Sequence, residues 1–256
     1  MKTKILLLAT AFAVAVQLNV SAQTNAPVTV TEVPRNVALI PVPRVGGSIT
    51  NRQALVLQRA KEATGQYDLE FIGDSITQGW EGRGSNVWKQ FYGHRRVLNF
   101  GVSGDRTEHV LWRFDNGQLD GVKAKVAVVM IGTNNSGKNK DGSDTYTDSD
   151  ILAGITAIVQ QIRARQPETK ILLLGIFPRA AGFDRQRGRL LQINQALEKL
   201  ADAKNIFYLD IGSKLIENDG SISKKIMPDA LHPNEAGYKI WANAMAPKLS
   251  ELLGEK

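Results

Sequence analysis

Five short apolar runs recur along the chain, and segments of helical period lie between them. The runs are Tyr67–Ile72, Val97–Phe100, Val126–Ile131, Ile171–Ile176 and Ile206–Ile211. Val126–Ile131 is apolar at every position, as a strand covered on both faces must be. Ile151, Leu152, Ile155, Ile158, Val159 and Ile162 repeat at helical spacing and predict a helix over Ser149–Arg165. Further helices are expected at Arg52–Ala63 (capped by Thr50-Asn51), Val87–Tyr92 and Arg106–Phe114. Leu190, Ile193, Leu197 and Leu200 mark another, and Tyr238 to Leu252 a last one that Pro247 would kink. Strand and helix alternating in this way argue for an α/β fold, a five-stranded parallel sheet between two helix layers.

The ends and the composition narrow the setting. Met1–Lys4 is a short basic start, Ile5–Val16 is apolar, and Val20-Ser21-Ala22 ends in small residues. This pattern reads as a signal peptide over 1–22, cut after Ala22, and predicts a secreted or periplasmic protein. A membrane anchor is the competing reading, but the run is too short to span a bilayer and no stop-transfer pattern follows. The chain has no cysteine, which excludes disulfides, cysteine nucleophiles, cysteine metal sites and a lipid-modified cysteine. Residues 23–48, with Pro27, Pro34, Pro41 and Pro43, read as an extended linker or strap, and residues 49–256 as one domain. The formal charge of +7 falls to +5 without Lys2 and Lys4, and its cations are dispersed, so no nucleic-acid partner is expected.

Ser75 follows the first apolar run after Gly73-Asp74, in the position where α/β enzymes place working groups, the crevice at the carboxyl ends of strands. A base is needed beside it, and the chain has three histidines. His94 lies in a basic turn and reads as a surface residue; His109 lies within a helix and reads as a packing residue. His232 has Asp229 three residues before it. An aspartate so placed can accept from the imidazole Nδ1–H and leave Nε2 free as a base, although capping a turn is an equally good use of it. Gly132-Thr133-Asn134-Asn135 follows the third run, and Asn99–Asp105, with Gly101 and Gly104, follows the second. A glycine lets a backbone N–H approach a substrate oxygen closely, and an asparagine amide can donate beside it. Ser75, these glycines and Asn134 thus follow three different strands and should line one sheet edge.

Competing motifs fail on their particulars. Gly132–Lys138 nearly fits a phosphate-binding loop, but Asn139 stands where a Ser or Thr is needed and Asn139–Asp148 is too polar to begin a helix. There is no H-E-x-x-H and no G-x-S-x-G. Neither a metal nor a cofactor is expected.

Four blocks, Gly73–Thr77, Asn99–Asp105, Gly132–Asn135 and Asp229–His232, resemble those of the SGNH hydrolases, or GDSL esterases/lipases, and stand in that family's order. Val97–Asn135 is particularly similar to the catalytic subunits of the platelet-activating-factor acetylhydrolase Ib type. The resemblance covers about Tyr67 to Leu253 and implies a flavodoxin-like three-layer α/β/α sandwich. It implies Ser75 as nucleophile, Asp229 and His232 completing a triad, and an oxyanion hole from the N–H groups of Ser75 and Gly104 with the Asn134 side chain. It selects Gly104 over Gly101, and implies a carboxylic ester hydrolase. The similar acetylhydrolases dimerise, so a homodimer is also implied, with the N-terminal strap blocking or making the contact.

Substrate is read from the loops. No long apolar insertion offers a lid, and residues 135–150 form a long polar loop with Tyr146 near its end. Short-chain, acetyl esters on small molecules or glycans are expected. Lipid acetyl esters are the alternative, and a non-catalytic binding protein on the same fold a third reading. Trp80, Arg106 and Arg179 fall near strand ends and are candidates for touching substrate, packing or surface pairing being the plainer reading of each; Tyr146, in the loop expected beside the oxyanion hole, is a further candidate.

Overall fold

A computed structural model of the protein describes residues 36–255. The expected signal peptide, and residues 23–35 of the expected strap, lie outside the described residues. Five strands form one sheet: β1 (Gln66–Gly73), β2 (Val97–Gly101), β3 (Lys123–Met130), β4 (Lys170–Leu174) and β5 (Ile206–Leu209). All pairings are parallel and the order is β2-β1-β3-β4-β5. The chain steps outward from β1 to β2 and then crosses back to β3, so a crevice opens at the carboxyl ends where the order reverses. Gly73 pairs with Gly101 on one side and Met130 on the other, so β1, β2 and β3 end level with one another.

Among the described residues seven α-helices flank the sheet: α1 (Gly47–Glu62), α2 (Ser75–Gln78), α3 (Ser85–Tyr92), α4 (Thr107–Asp115), α5 (Asp148–Arg165), α6 (Arg185–Leu197) and α7 (Glu235–Leu253). The strand pleat sends alternate side chains to opposite layers. Ile72 packs with Val56 of α1, Val110 of α4, Ile155 of α5 and Ile193 of α6. Leu69 and Phe71 pack on the other face, with Val87 of α3 and Trp241 and Met245 of α7. The three layers expected from the alternation are therefore present.

Local departures have physical causes. Helix α1 begins at Gly47 rather than Arg52. Gly46 turns the chain with φ 126°, and Thr50 accepts the Gly46 N–H at 3.2 Å from inside the first turn instead of capping a later start. Ala38 is fully buried and its carbonyl accepts from Thr107 Oγ1 at 3.1 Å, so the segment before α1 packs against the base of α4. Helix α7 continues through Pro247. No helix among the described residues is long and apolar enough to cross a membrane.

Candidate active site

The turn after β1 is tightly determined. A Cβ on Gly73 would collide with Thr77 Oγ1 and the Met130 carbonyl, so only glycine fits between the nucleophile turn and β3. Asp74 caps the short helix α2, its Oδ1 accepting the Ile76 N–H at 2.9 Å. Burial pushes the Asp74 carboxyl up to about 7, against the pull of that hydrogen bond. Ser75 is the first residue of α2, where a helix leaves its N–H groups without internal partners.

His232 reaches this turn across 157 residues of sequence. Ser75 Oγ lies 2.9 Å from His232 Nε2, and His232 Nδ1 lies 2.7 Å from Asp229 Oδ2. Asp229 Oδ1 accepts the backbone N–H groups of His232 at 2.7 Å and Leu231 at 3.2 Å, which fixes the carboxylate relative to the ring. Partial burial pulls the Asp229 pKa upward, but the hydrogen bonds from the His232 backbone, the ring and Leu231 outweigh it and hold the group at about 2. An ionised Asp229 requires a proton on Nδ1, which leaves Nε2 as an acceptor toward the serine.

The neighbouring strand ends bring further donors. Gly104 has φ 73°, a left-handed conformation costly for any residue with a Cβ. Neither its N–H nor that of Ser75 makes a hydrogen bond among the described residues. Asn134 Nδ2 donates to the Asp105 carbonyl at 2.8 Å, which ties the loop after β3 to the loop after β2 and leaves its second N–H. Asp105 itself is buried against Arg113, and burial raises its pKa despite that cation.

Sequence reasoning did not anticipate Arg44. Its Nη1 donates to the Gly104 carbonyl at 2.5 Å, and a Cβ on Gly104 would come within 2.8 Å of its Nη2. Arg44 comes from the segment before α1, and no local pattern marks it; only the fold brings it to the strand ends.

Several residues expected near substrate are placed elsewhere. Trp80 is fully buried, its ring centroid 4.5 Å from that of Tyr238 and 4.9 Å from that of Trp241. The 3-10 turn Gly79–Glu81 rotates it inward and leaves its neighbours on the surface. Tyr146 is also buried, and its hydroxyl donates to Glu108 Oε1 at 2.5 Å behind α4. Arg106 lies 2.9 Å from Glu108 and stacks over Tyr146. Arg179 donates to the Thr133 carbonyl at 3.1 Å and so braces the loop that carries Asn134. None of the four lines the cleft that Ser75 and His232 share. His94 is exposed, as read from its turn. His109 is buried and its Nδ1 accepts the Arg106 N–H at 2.9 Å; burial first, then Arg106, Arg44 and Arg113, lower its pKa to about 3 and keep it neutral.

Ser75 and His232 open onto a cleft of about 470 Å³. Its rim is Gln78, Glu81, Arg83 and Ser103, with Tyr238 in the wall. Gln78 Oε1 accepts the Ser103 N–H at 2.7 Å, which closes the rim between the first and second strand ends. A half-buried serine hydroxyl that opens on the cleft and is bonded to an oriented imidazole, beside unengaged N–H groups, is equipped for nucleophilic attack on a carbonyl and for holding the resulting oxyanion.

Comparison with known proteins points the same way. Residues 71–240 match the GDSL-like lipase/acylhydrolase family. The chain is 37% identical over 189 residues to platelet-activating factor acetylhydrolase IB subunit alpha2 of Rattus norvegicus, covering 73% of this chain and 78% of that protein. Among solved structures, a GDSL-like lipase from Bacteroides thetaiotaomicron superposes with TM-score 0.63 at 20% identity, covering 79% of this chain and 98% of the other. An acetylxylan esterase from Geobacillus stearothermophilus superposes with TM-score 0.55 at 20% identity, covering 77% and 97%. At such identities the superpositions speak to the fold.

Proposed function

Because the chain belongs to the GDSL-like lipase/acylhydrolase family and is a carboxylic ester hydrolase, we propose that it is a secreted serine esterase acting on short-chain, chiefly acetyl, esters of carbohydrates. The observation that carries this reading is the unbroken hydrogen-bonded series from Ser75 Oγ through His232 to Asp229.

In the proposed reaction His232 Nε2 takes the hydroxyl proton as Ser75 Oγ attacks the ester carbonyl. The oxyanion is held by the N–H groups of Ser75 and Gly104 and by the second amide N–H of Asn134. Loss of one such donor typically costs about 3–4 kcal/mol. The imidazolium protonates the departing alcohol, which leaves an acyl-Ser75 enzyme. His232 then takes a proton from water as the water oxygen attacks the acyl carbon, and returns it to Ser75 Oγ as the acyl–oxygen bond breaks and the carboxylic acid leaves. Asp229 stays ionised and holds the ring throughout.

A polar rim favours the short acyl group and the sugar. None of the side chains lining the cleft among the described residues is aliphatic, so little there would recover the desolvation of a long chain. The acetylxylan esterase that shares the fold acts on an acetylated glycan by its name. The name of the curated relatives, platelet-activating factor acetylhydrolase, favours a lipid acetyl ester as the second reading. The basic start, apolar run and small residues over 1–22 support secretion, and N-terminal sequencing of exported protein should begin at Gln23.

A 4-nitrophenyl ester series tests the acyl length, with highest kcat/KM expected at acetate and a fall by butyrate. Preference for eight carbons or more would reverse the substrate reading. Acetate release from acetylated xylo-oligosaccharide against an acetylated ether lipid separates the two alcohols. Ser75→Ala should lower kcat by about 10⁴-fold or more; full activity in that variant would sink the proposed mechanism.

A further inference from the structure

The cleft carries two charged side chains on one rim, Glu81 and Arg83, and their situations are opposite. Glu81 is fully engaged. Arg52 Nη1 lies 2.8 Å from its Oε2, and Arg59 Nη1 lies 2.5 Å from its Oε1. Both arginines are themselves anchored on β2, Arg52 to the Gly101 carbonyl at 2.9 Å and Arg59 to the Asn99 carbonyl at 3.0 Å. The nearest carboxylate in sequence to Arg83 is therefore already paired twice. Arg83 is exposed and enters no hydrogen bond or ion pair found among the described residues. Two guanidinium groups thus hold Glu81, and the arginine left unpaired among the described residues, Arg83, is the one that lines the cleft.

The backbone beneath Arg83 is held firmly. The N–H groups of Gly82 and Gly84 both donate to the Gly79 carbonyl, at 3.0 and 2.9 Å. Gly84 lies so close to the aromatic layer that a Cβ there would come 2.8 Å from Tyr238 Cγ and 2.9 Å from Trp80 Cε3. An unpaired guanidinium on an anchored turn, beside Ser75 and His232, is arranged to meet an anion rather than to stabilise the fold. Its planar fork fits a carboxylate through two parallel N–H donors, and little backbone ordering remains to be done on binding.

We propose that Arg83 is a specificity-determining residue that binds a carboxylate on the alcohol side of the ester, so that the preferred substrates are acetyl esters of acidic alcohols such as uronic-acid-type sugars. This rests on the reading of Ser75 and His232 as nucleophile and base. The pairing fixes the alcohol while the acyl group sits at Ser75. It raises kcat/KM for anionic over neutral esters, and it weakens with salt because the rim is open to solvent.

The test compares 4-acetoxybenzoate with the neutral 4-acetoxybenzamide, as a ratio of kcat/KM, in the full-length mature protein. Arg83→Gln is expected to lower that ratio by about 5- to 30-fold, the range of a charge-assisted hydrogen-bonded contact at a partly exposed site. Arg83→Lys should recover part of the loss, and 0.5 M salt should shrink the wild-type ratio. An Arg83→Gln ratio equal to wild type, with both esters still cleaved, would overturn the subsite and leave the Ser75 mechanism standing. A wild-type enzyme inert on both esters would overturn the mechanism and the subsite with it. If 4-acetoxyphenyl phosphate loses more than 4-acetoxybenzoate on Arg83→Gln, the assignment to carboxylate is overturned in favour of phosphate.

Discussion

Ser75 and His232 meet at 2.9 Å, yet the two sides of that contact are supported in unlike ways. The serine side is built into the core. Phe71 and Trp80 are fully buried among Tyr92, Tyr238 and Trp241, and the Tyr238 hydroxyl donates to the Ile76 carbonyl at 2.6 Å, directly behind the serine. The histidine side is a loop anchored by buried Met227 and Pro233, with its two acting side chains left partly open. The Asp229 side chain is 49% and the His232 side chain 28% accessible. Directional bonds take over there. Asn234 donates to the Ile226 carbonyl from its N–H and to the Lys225 carbonyl from its amide, each at 2.9 Å. The Ala180 N–H donates to the Ala230 carbonyl at 3.0 Å, and both alanines are left-handed, with φ 69° and 54°. Such a conformation costs each about 1–2 kcal/mol, so the loop is held in place against strain. The nucleophile is positioned by burial and the base by geometry, and stability and activity should separate along that line.

The largest effects test the separation directly. Asp229→Asn removes the acceptor that fixes the ring tautomer and should lower kcat by about 10⁴-fold, while thermal unfolding stays close to wild type because the group is half exposed. Trp80→Ala empties a fully buried site and should cost about 3–5 kcal/mol of stability, with the folded fraction retaining kcat within an order of magnitude. Denaturant titration and initial rates on the same preparations decide it. If Asp229→Asn loses as much stability as Trp80→Ala, the contrast fails.

The same division explains what the sequence revealed. The serine side was legible because its determinants are local. Apolar runs mark buried strands, Gly73 and Ser75 sit at a strand end, and the helical period of α5 is written in Ile151, Ile155, Ile158 and Ile162. Asp229 and His232 were legible as a pair because they stand three positions apart and a short turn can join such neighbours. Trp80 packs in the core, the plainer of its two readings; a residue beside a strand end can face the crevice or the core, and only the 3-10 turn at Gly79–Glu81 decides between them. Tyr146 was misplaced because its partner, Glu108, lies 38 residues away, and no spacing rule links a loop to a helix over that distance. Arg44 and Arg83 were silent for a related reason. An arginine in a turn reads as solvated surface until tertiary structure shows which carbonyl or cleft it meets.

A smaller effect probes how the histidine loop is clamped. Arg187 donates through Nε to the Arg179 carbonyl at 3.0 Å, and through its two Nη atoms to the Gly220 and Ala180 carbonyls. It therefore fixes the segment whose Ala180 N–H holds Ala230, one residue from Asp229. Arg187→Met keeps the stem and removes the donors. We expect kcat to fall about tenfold, since misplacement of a reacting group by a fraction of an ångström is felt strongly, with KM for acetate esters within twofold. A loss of KM with kcat intact would place Arg187 on the substrate side instead.

The smallest effect belongs to the strand that delivers Ser75. Glu70 in β1 is fully buried, and neither carboxyl oxygen has a hydrogen-bond partner among the described residues. Burial pushes its pKa up to about 8, the nearby Gln166 amide pulling the other way. The folded protein therefore keeps a proton that the unfolded chain releases above about pH 4.5. Between these two values stability falls as pH rises, and above about 8 the contribution is level. Glu70→Gln removes the titration while keeping the shape. Over the single unit from pH 6 to 7 the stability of wild type relative to Glu70→Gln should fall by about 1 kcal/mol. Measuring the difference between the two proteins cancels the contribution of Asp74, which burial also raises. A difference that does not change between pH 5 and 8 would mean that Glu70 is ionised in the core. The serine side would then depend on a buried charge as well as on apolar packing.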